Sequence, residues 1–223
     1  MLRNIIFDMG GVLITIDHAE AVRRFTEIGV HEAARLLDPY TQGGPFGQLE
    51  QGDITTGEFV LEMSRLAGRT LSHDDCAYGW LGYAKDAPLQ GFRLLEQLRR
   101  EGYHLILLSN MNPFINAWLE DVYTLPEFFS HETPDGLWRN RFPLGRPLSS
   151  FFEACYRSFE IRMMKPDPRV FRLIVEREGI LPEETLLVDD GPRNCSAAAA
   201  QGLQTFQPQN GEDWTQRLLH RLA

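Results

Sequence analysis

The sequence predicts an α/β protein, a Rossmann-like parallel sheet flanked by helices, with a helical cap inserted after the first strand. Three observations predict it. Brief apolar runs that end in polar or glycine residues recur along the chain, as interior strands do. Segments of helical period separate them, and a βαβα alternation makes a parallel sheet. The interval 17–88 breaks that rhythm, with helical period and no convincing strand.

Taken in order, the first run is Asn4–Phe7, which leads into Asp8 and then Gly10 and Gly11. The interval 17–88 holds helical stretches at 19–28, 58–67 and 74–83, with the glycine-rich "TQGGPFGQLEQGD" as a joining segment. We read it as a cap over the strand ends, so that 1–16 and 89–223 form the core domain and 17–88 the cap domain. After it, Phe92, Leu94, Leu95 and Leu98 mark a helix over 90–100. A second strand at 105–108 ends in Ser109 and Asn110. The segment 130–150 is long and irregular for a compact domain. Ala154–Arg157 is a further candidate strand, 170–178 a helix, Thr185–Val188 a strand ending in Asp189 and Asp190, and 203–206 the last strand.

Bulk properties exclude several partners. With 43% hydrophobic and 24% charged residues the composition is that of a soluble globular chain, and 223 residues suffice for a sizeable core. The formal charge of −9 is spread along the chain, which argues against nucleic acid or an anionic membrane as partner. No apolar run is long enough to span a bilayer, and no basic region followed by an apolar stretch opens the chain. Cys76, Cys155 and Cys195 have no metal-ligand spacing and fit a reducing compartment, so a cytoplasmic protein is expected.

Three strands end in residues suited to phosphate chemistry. In a parallel sheet the ligand sits at the carboxyl ends of the strands. Asp8, Asp189 and Asp190 would therefore converge at one edge, where like charges ~4 Å apart repel by roughly 4 kcal/mol per pair at an effective dielectric near 20. A divalent cation relieves that cost, and hard oxygen ligands of this kind suit Mg²⁺. Lys165, in "MMKPDPRVF", adds a positive charge, and the Ser109 hydroxyl can hold phosphate oxygens. Each signal is weak alone, because "DD" is usually a turn and "SN" a helix cap. Their order at strand ends carries the reading.

"FDMGGVL", "LLSN", "MKPDPRVF" and "VDDGPRN", in that order over essentially the whole chain, resemble the four motifs of the haloacid dehalogenase-like (HAD) hydrolase superfamily. Response-regulator receivers, another Mg²⁺/aspartate family, place their acidic pair on the first strand and are much shorter. The resemblance implies Asp8 as the nucleophile that forms an aspartyl-phosphate. It implies Mg²⁺ held by Asp8, the Gly10 carbonyl and Asp190, with Asp189 supporting the metal site. It implies phosphoryl binding by Ser109, Asn110 and Lys165, and a bracing role for Asn194 at Lys165 or its loop.

One departure stands out. Most phosphatases of the family carry a second aspartate two residues after the nucleophile, as general acid for the leaving group, and here that position is Gly10. General acid catalysis is worth about 10²–10⁴-fold. Three functions follow as alternatives: a Mg²⁺-dependent phosphatase of a small phosphorylated metabolite, a non-catalytic module that kept the fold, or a haloacid dehalogenase. The phosphatase is the expected one, because a dehalogenase has no use for the paired acids and a binding module none for the nucleophile. The resemblance is to the branch with FDxGxV in its first motif, which includes sugar-phosphate phosphatases, so a sugar phosphate with a good leaving group is the favoured substrate. Asp17 and His18 follow the "VLITI" run and are candidates to replace the acid, Asp17 equally a helix cap. Phe46, Gln48, Glu50 and Trp80 are candidate substrate-selecting positions, and Gly43, Gly44 and Gly47 would let a loop move. Trp138, Arg139, Arg141 and Arg146 fall on the side of the sheet away from the chemistry and are read as a surface loop or interface. A monomer or a homodimer is expected.

Overall fold

The structure, a computed structural model, describes residues 1–38, 42–120 and 144–223. In chain order its elements are β1 (Asn4–Phe7), β2 (Thr15–Ile16), α1 (His18–Glu27), α2 (Ala33–Leu36), α3 (Gly44–Gln51), α4 (Thr56–Ala67), α5 (His73–Leu81) and β3 (Ala84–Asp86). There follow α6 (Leu89–Arg100), β4 (His104–Ser109), α7 (Pro113–Leu119), β5 (Ala154–Arg157), α8 (Ser158–Ile161), α9 (Pro168–Glu178), β6 (Thr185–Val188), α10 (Pro192–Ala199), β7 (Gln204–Phe206) and α11 (Thr215–Leu222). Trp138, Arg139 and Arg141 lie outside the described residues.

The chain divides into two compact units. One comprises Met1–Ile16, Asp86–Asn110 and Ser149–Ala223, the other Asp17–Lys85 and Met111–Leu148. This division groups Met111–Leu148 with the inserted segment, whereas the sequence reading assigned those residues to the core.

The first unit is built on a five-stranded parallel sheet in the order β5-β4-β1-β6-β7. Its central strand β1 is buried on both faces, which is why it reads as an unbroken apolar run rather than an alternation. On one face Ile6, Ile106, Leu108 and Leu187 pack against Val170, Phe171 and Ile174 of α9 and Ala198 of α10. Register then fixes the chemistry. Phe7 pairs with Leu107 on one side and Val188 on the other, so the next residues, Asp8, Leu108 and Asp189, stand side by side at the same level.

The second unit is helical and closes on aromatic rings: Phe25, Phe46, Phe59 and Trp80 meet mostly edge to face, with centroids 4.9 Å apart for the nearest pair. Two of its helices open on capping boxes, Thr55 with Glu58 and Ser72 with Asp75. Two sequence expectations need correcting here. The glycine-rich joining segment is a helix, α3, because Phe46, Leu49 and Glu50 fall on one face and are buried, which outweighs the poor helix propensity of its glycines. The interval expected to lack strands ends in the short β3. Among the described residues no helix is long and apolar enough to cross a membrane.

Candidate active site

Asp8 ends β1, and its backbone N–H continues the ladder to the Val188 carbonyl at 2.9 Å. Its carboxylate is largely buried; Oδ1 accepts the Met9 N–H at 2.7 Å and faces Lys165 Nζ at 2.9 Å. The same ammonium lies 2.6 Å from Asp189 Oδ2 and donates to the Leu108 carbonyl at 3.1 Å. Lys165 thus takes one oxygen from each of the three positions that the strand register places side by side.

The lysine is itself held by its backbone. The Asn110 side chain accepts from the Lys165 N–H at 2.9 Å and donates to the Lys165 carbonyl at 2.8 Å. Asn110, expected at the phosphate, therefore has both amide groups committed to Lys165. Asn194, expected to brace Lys165 or the loop, bonds within the loop: with the Gly191 N–H it donates to Asp189 Oδ1, at 2.9 and 2.8 Å. That leaves Asp189 Oδ2 to face the lysine. Ser109 ends β4 and is buried, with its hydroxyl directed to the Asn110 carbonyl at 3.4 Å.

Asp190 completes the group. Among the described residues, carboxylate oxygens of Asp8, Asp189 and Asp190 lie within 4.8 Å of one another. Asp190 comes this close because residue 11 is glycine: a Cβ there would stand 2.2 Å from Asp190 Oδ2, and the backbone at Gly11 has φ +73°. At Gly10 a Cβ would meet the Ile16 Cδ1 at 3.2 Å, the far end of a flexible side chain.

Electrostatics follow from three acids around one cation. Burial, above all, pushes the Asp8 carboxyl up to about 7; Lys165 opposes it, and Asp189 and Asp190 add to it. Burial and Asp189 push Asp190 up to about 6. At Lys165 burial favours the neutral amine, but Asp189 and Asp8 outweigh it and keep the ammonium charged. Fully ionised, the cluster carries two negative charges more than it balances. A divalent cation supplies that deficit, and the oxygen-only donor set fits Mg²⁺.

The other expected positions are placed as follows. Asp17 is the N-cap of α1, its Oδ1 accepting the Glu20 N–H at 3.0 Å, and His18 Nε2 lies 3.0 Å from the Leu37 carbonyl. Asp17→Ala is therefore expected to lower stability by about 1 kcal/mol, with equal proportional effects on good and poor leaving groups. Urea denaturation and paired kinetics check this. Phe46 and Trp80 are buried in the aromatic cluster, and Gln48 is exposed. Glu50 is buried, and burial pushes its carboxyl up to about 8 against the Asn112 amide that hydrogen-bonds to it. Sequence reasoning missed Asn112, whose side chain also caps α7; its place just before Pro113, a helix-starting proline, was the available signal.

A parallel sheet carrying an acid, a serine and an acidic pair at its strand ends, with a lysine from the segment before α9 between them, defines a hydrolase class, and the chain belongs to it: the family model for haloacid dehalogenase-like hydrolases matches residues 2–202. Among curated proteins the chain is 36% identical to a D-ribitol-5-phosphate phosphatase of Bacteroides thetaiotaomicron, over 98% of this chain and 97% of that one. Among solved structures it matches a HAD-like family hydrolase from Porphyromonas gingivalis at 36% identity and TM-score 0.86, over 100% and 98% of the two chains. A HAD family enzyme of B. thetaiotaomicron in complex with magnesium and inorganic phosphate matches at 31% identity and TM-score 0.82, over 97% and 99%. Family and relatives together make this an enzyme of the phosphatase type, with Mg²⁺ as its cofactor.

Proposed function

We propose that the chain hydrolyses a small phosphorylated sugar or sugar alcohol through a phosphoryl intermediate on Asp8. The observation that carries this reading is the Lys165 ammonium, buried and held against both Asp8 and Asp189. Packing has no use for a buried cation between two acids, whereas phosphoryl transfer needs a carboxylate kept close to positive charge. The substrate class comes from the D-ribitol-5-phosphate phosphatase to which the chain is similar along nearly its whole length.

In this reading an Asp8 oxygen attacks phosphorus, the P–O bond to the sugar breaks, and the sugar alkoxide leaves and takes a proton. Water then attacks the phosphoryl-Asp8 and frees phosphate and the Asp8 carboxylate. Asp8, the Gly10 carbonyl and Asp190 would hold Mg²⁺, with Asp189 behind them; the cation supplies positive charge to the phosphoryl oxygens. Ser109 and Lys165 bind the same oxygens, while Asn110 acts through Lys165. The helical insertion is the segment we assign to substrate selection.

Gly10 offers no proton to the departing alkoxide. Rates are therefore expected to fall steeply as the leaving-group pKa rises. Phosphate release from a panel of sugar 1-phosphates, terminal sugar and pentitol phosphates and aryl phosphates, with and without Mg²⁺, tests the reading. Release confined to the Mg²⁺ samples and fastest for anomeric and aryl esters supports it. No release from any member overturns it, and equal rates across leaving groups would locate a proton donor away from position 10.

A further inference from the structure

We propose that residues 207–214 form a strap whose side chains Gln207, Asn210 and Trp214 hold the two metal-bearing loops in working register and so set the affinity for Mg²⁺. The proposal rests on the reading above, in which Asp190 and the Gly10 carbonyl are cation ligands.

The first loop, 9–14, is a tight turn between β1 and β2. Its Leu13 and Ile14 N–H groups both donate to the Met9 carbonyl, and the Gly11 N–H donates to the Ile14 carbonyl at 2.8 Å. Bonds within the turn fix its shape but not its position. Trp214, buried against the Phe7 ring, donates from Nε1 to the Val12 carbonyl at 2.9 Å, at the tip of the turn. Asn210 grips the far end: its Oδ1 accepts the Ile16 N–H at 2.8 Å and its Nδ2 donates to the Ile16 carbonyl at 2.9 Å. An amide side chain here does what a neighbouring strand would do. The Ile16 side chain in turn reaches to Gly10, whose carbonyl is proposed as a ligand.

The second loop carries Asp190. Gln207 Nε2 donates to the Asp190 carbonyl at 3.1 Å, and the preceding Asp189 N–H donates to the Phe206 carbonyl at 3.2 Å. The strap itself is braced, because Arg217 donates to the Gln207 carbonyl at 3.0 Å and pairs with Glu212 at 2.9 Å. Asp190 lies against Gly11 with no room for a Cβ between them, so the two loops approach each other closely. One segment, reaching both loops through three side chains, is placed to keep that approach. These are positioning residues, since none of them faces the carboxylates.

Charge-neutral substitutions separate this role from general stability. Metal-free full-length protein is titrated with Mg²⁺ by calorimetry, and its thermal midpoint is measured without metal. Asn210→Ala, at an exposed position, is expected to weaken Mg²⁺ binding about 3–10-fold, the effect of losing one or two net hydrogen bonds. Gln207→Ala with Asn210→Ala and Trp214→Phe together is expected to weaken it by more than about tenfold. Asn210→Gln, which keeps the amide but misplaces it, should not rescue. Mg²⁺ affinities within twofold of wild type in folded variants overturn the proposal, even if the midpoints drop. If the triple variant does not melt cooperatively, Asn210→Ala alone decides. Wild-type protein that binds Mg²⁺ but releases no phosphate would sink the proposed function and leave the strap to be judged on the titrations.

Discussion

Asp8→Asn is expected to abolish Mg²⁺-dependent phosphate release, by about 10⁴-fold or more as for removal of other covalent nucleophiles, while the protein stays as stable as wild type. The second half of that statement separates a lost nucleophile from a lost fold. Asparagine keeps an Oδ1 to accept the Met9 N–H, and it removes one of three acids that crowd each other. Lys165 retains Asp189 Oδ2 and the Leu108 carbonyl. Initial-rate assays beside urea denaturation at neutral pH check both halves. A variant that is inactive because it is unfolded would show a lower denaturation midpoint, which the account does not allow.

Lys165→Met is expected to be the opposite case, costing both activity and fold. It removes the cation that is paired with Asp8 and Asp189, and breaking a buried pair costs roughly 3–5 kcal/mol. The pH dependence gives the sign. Asp8 already has a folded-state pKa raised by burial to about 7, and without Lys165 it rises further. A carboxyl raised above its unfolded value of about 3.9 makes the folded state bind the extra proton, so its stability falls as pH rises through that window. The deficit of Lys165→Met should therefore be smallest below about pH 7 and grow as pH rises from there towards the higher pKa of Asp8 in the variant. Denaturation midpoints of variant and wild type across that range, without metal, measure it. A pH-independent deficit would mean that lost packing, not uncompensated charge, carries the effect.

The sheet was legible in the sequence because burial on both faces leaves strands as compact apolar runs. Asn4–Phe7 and Thr185–Val188 are legible to the residue on that signal, whereas the partly exposed edge strand Ala154–Arg157 is no such run and stood only as a further candidate. The site followed from it, since strand ends carry the polar residues and parallel register brings them level. Helix α3 was not legible: Gly44, Pro45 and Gly47 argue for a loop, and only the tertiary burial of Phe46 and Leu49 makes the helix. Proline at its start and Gly52 in the left-handed conformation at its end were the local signals that could have been weighed. Side-chain to backbone bonds were the least legible. Asn110 on Lys165 and Asn210 on Ile16 join residues 55 and 194 positions apart, and hydrophobic periodicity records nothing of where an amide points. That is why the bonds of Asn110 to the Lys165 backbone could not be read from the sequence, while the acids lie at the strand ends.

The central claim is that Asp8 carries the phosphoryl group. Rapid acid quenching during turnover of a sugar phosphate, followed by mass spectrometry of the peptides, tests it most directly. A phosphoryl group is expected on the peptide that contains Asp8, present only when Mg²⁺ is supplied and absent from Asp8→Asn. A phosphoryl group trapped on another residue, or phosphate release that continues at the wild-type rate in Asp8→Asn, would contradict it.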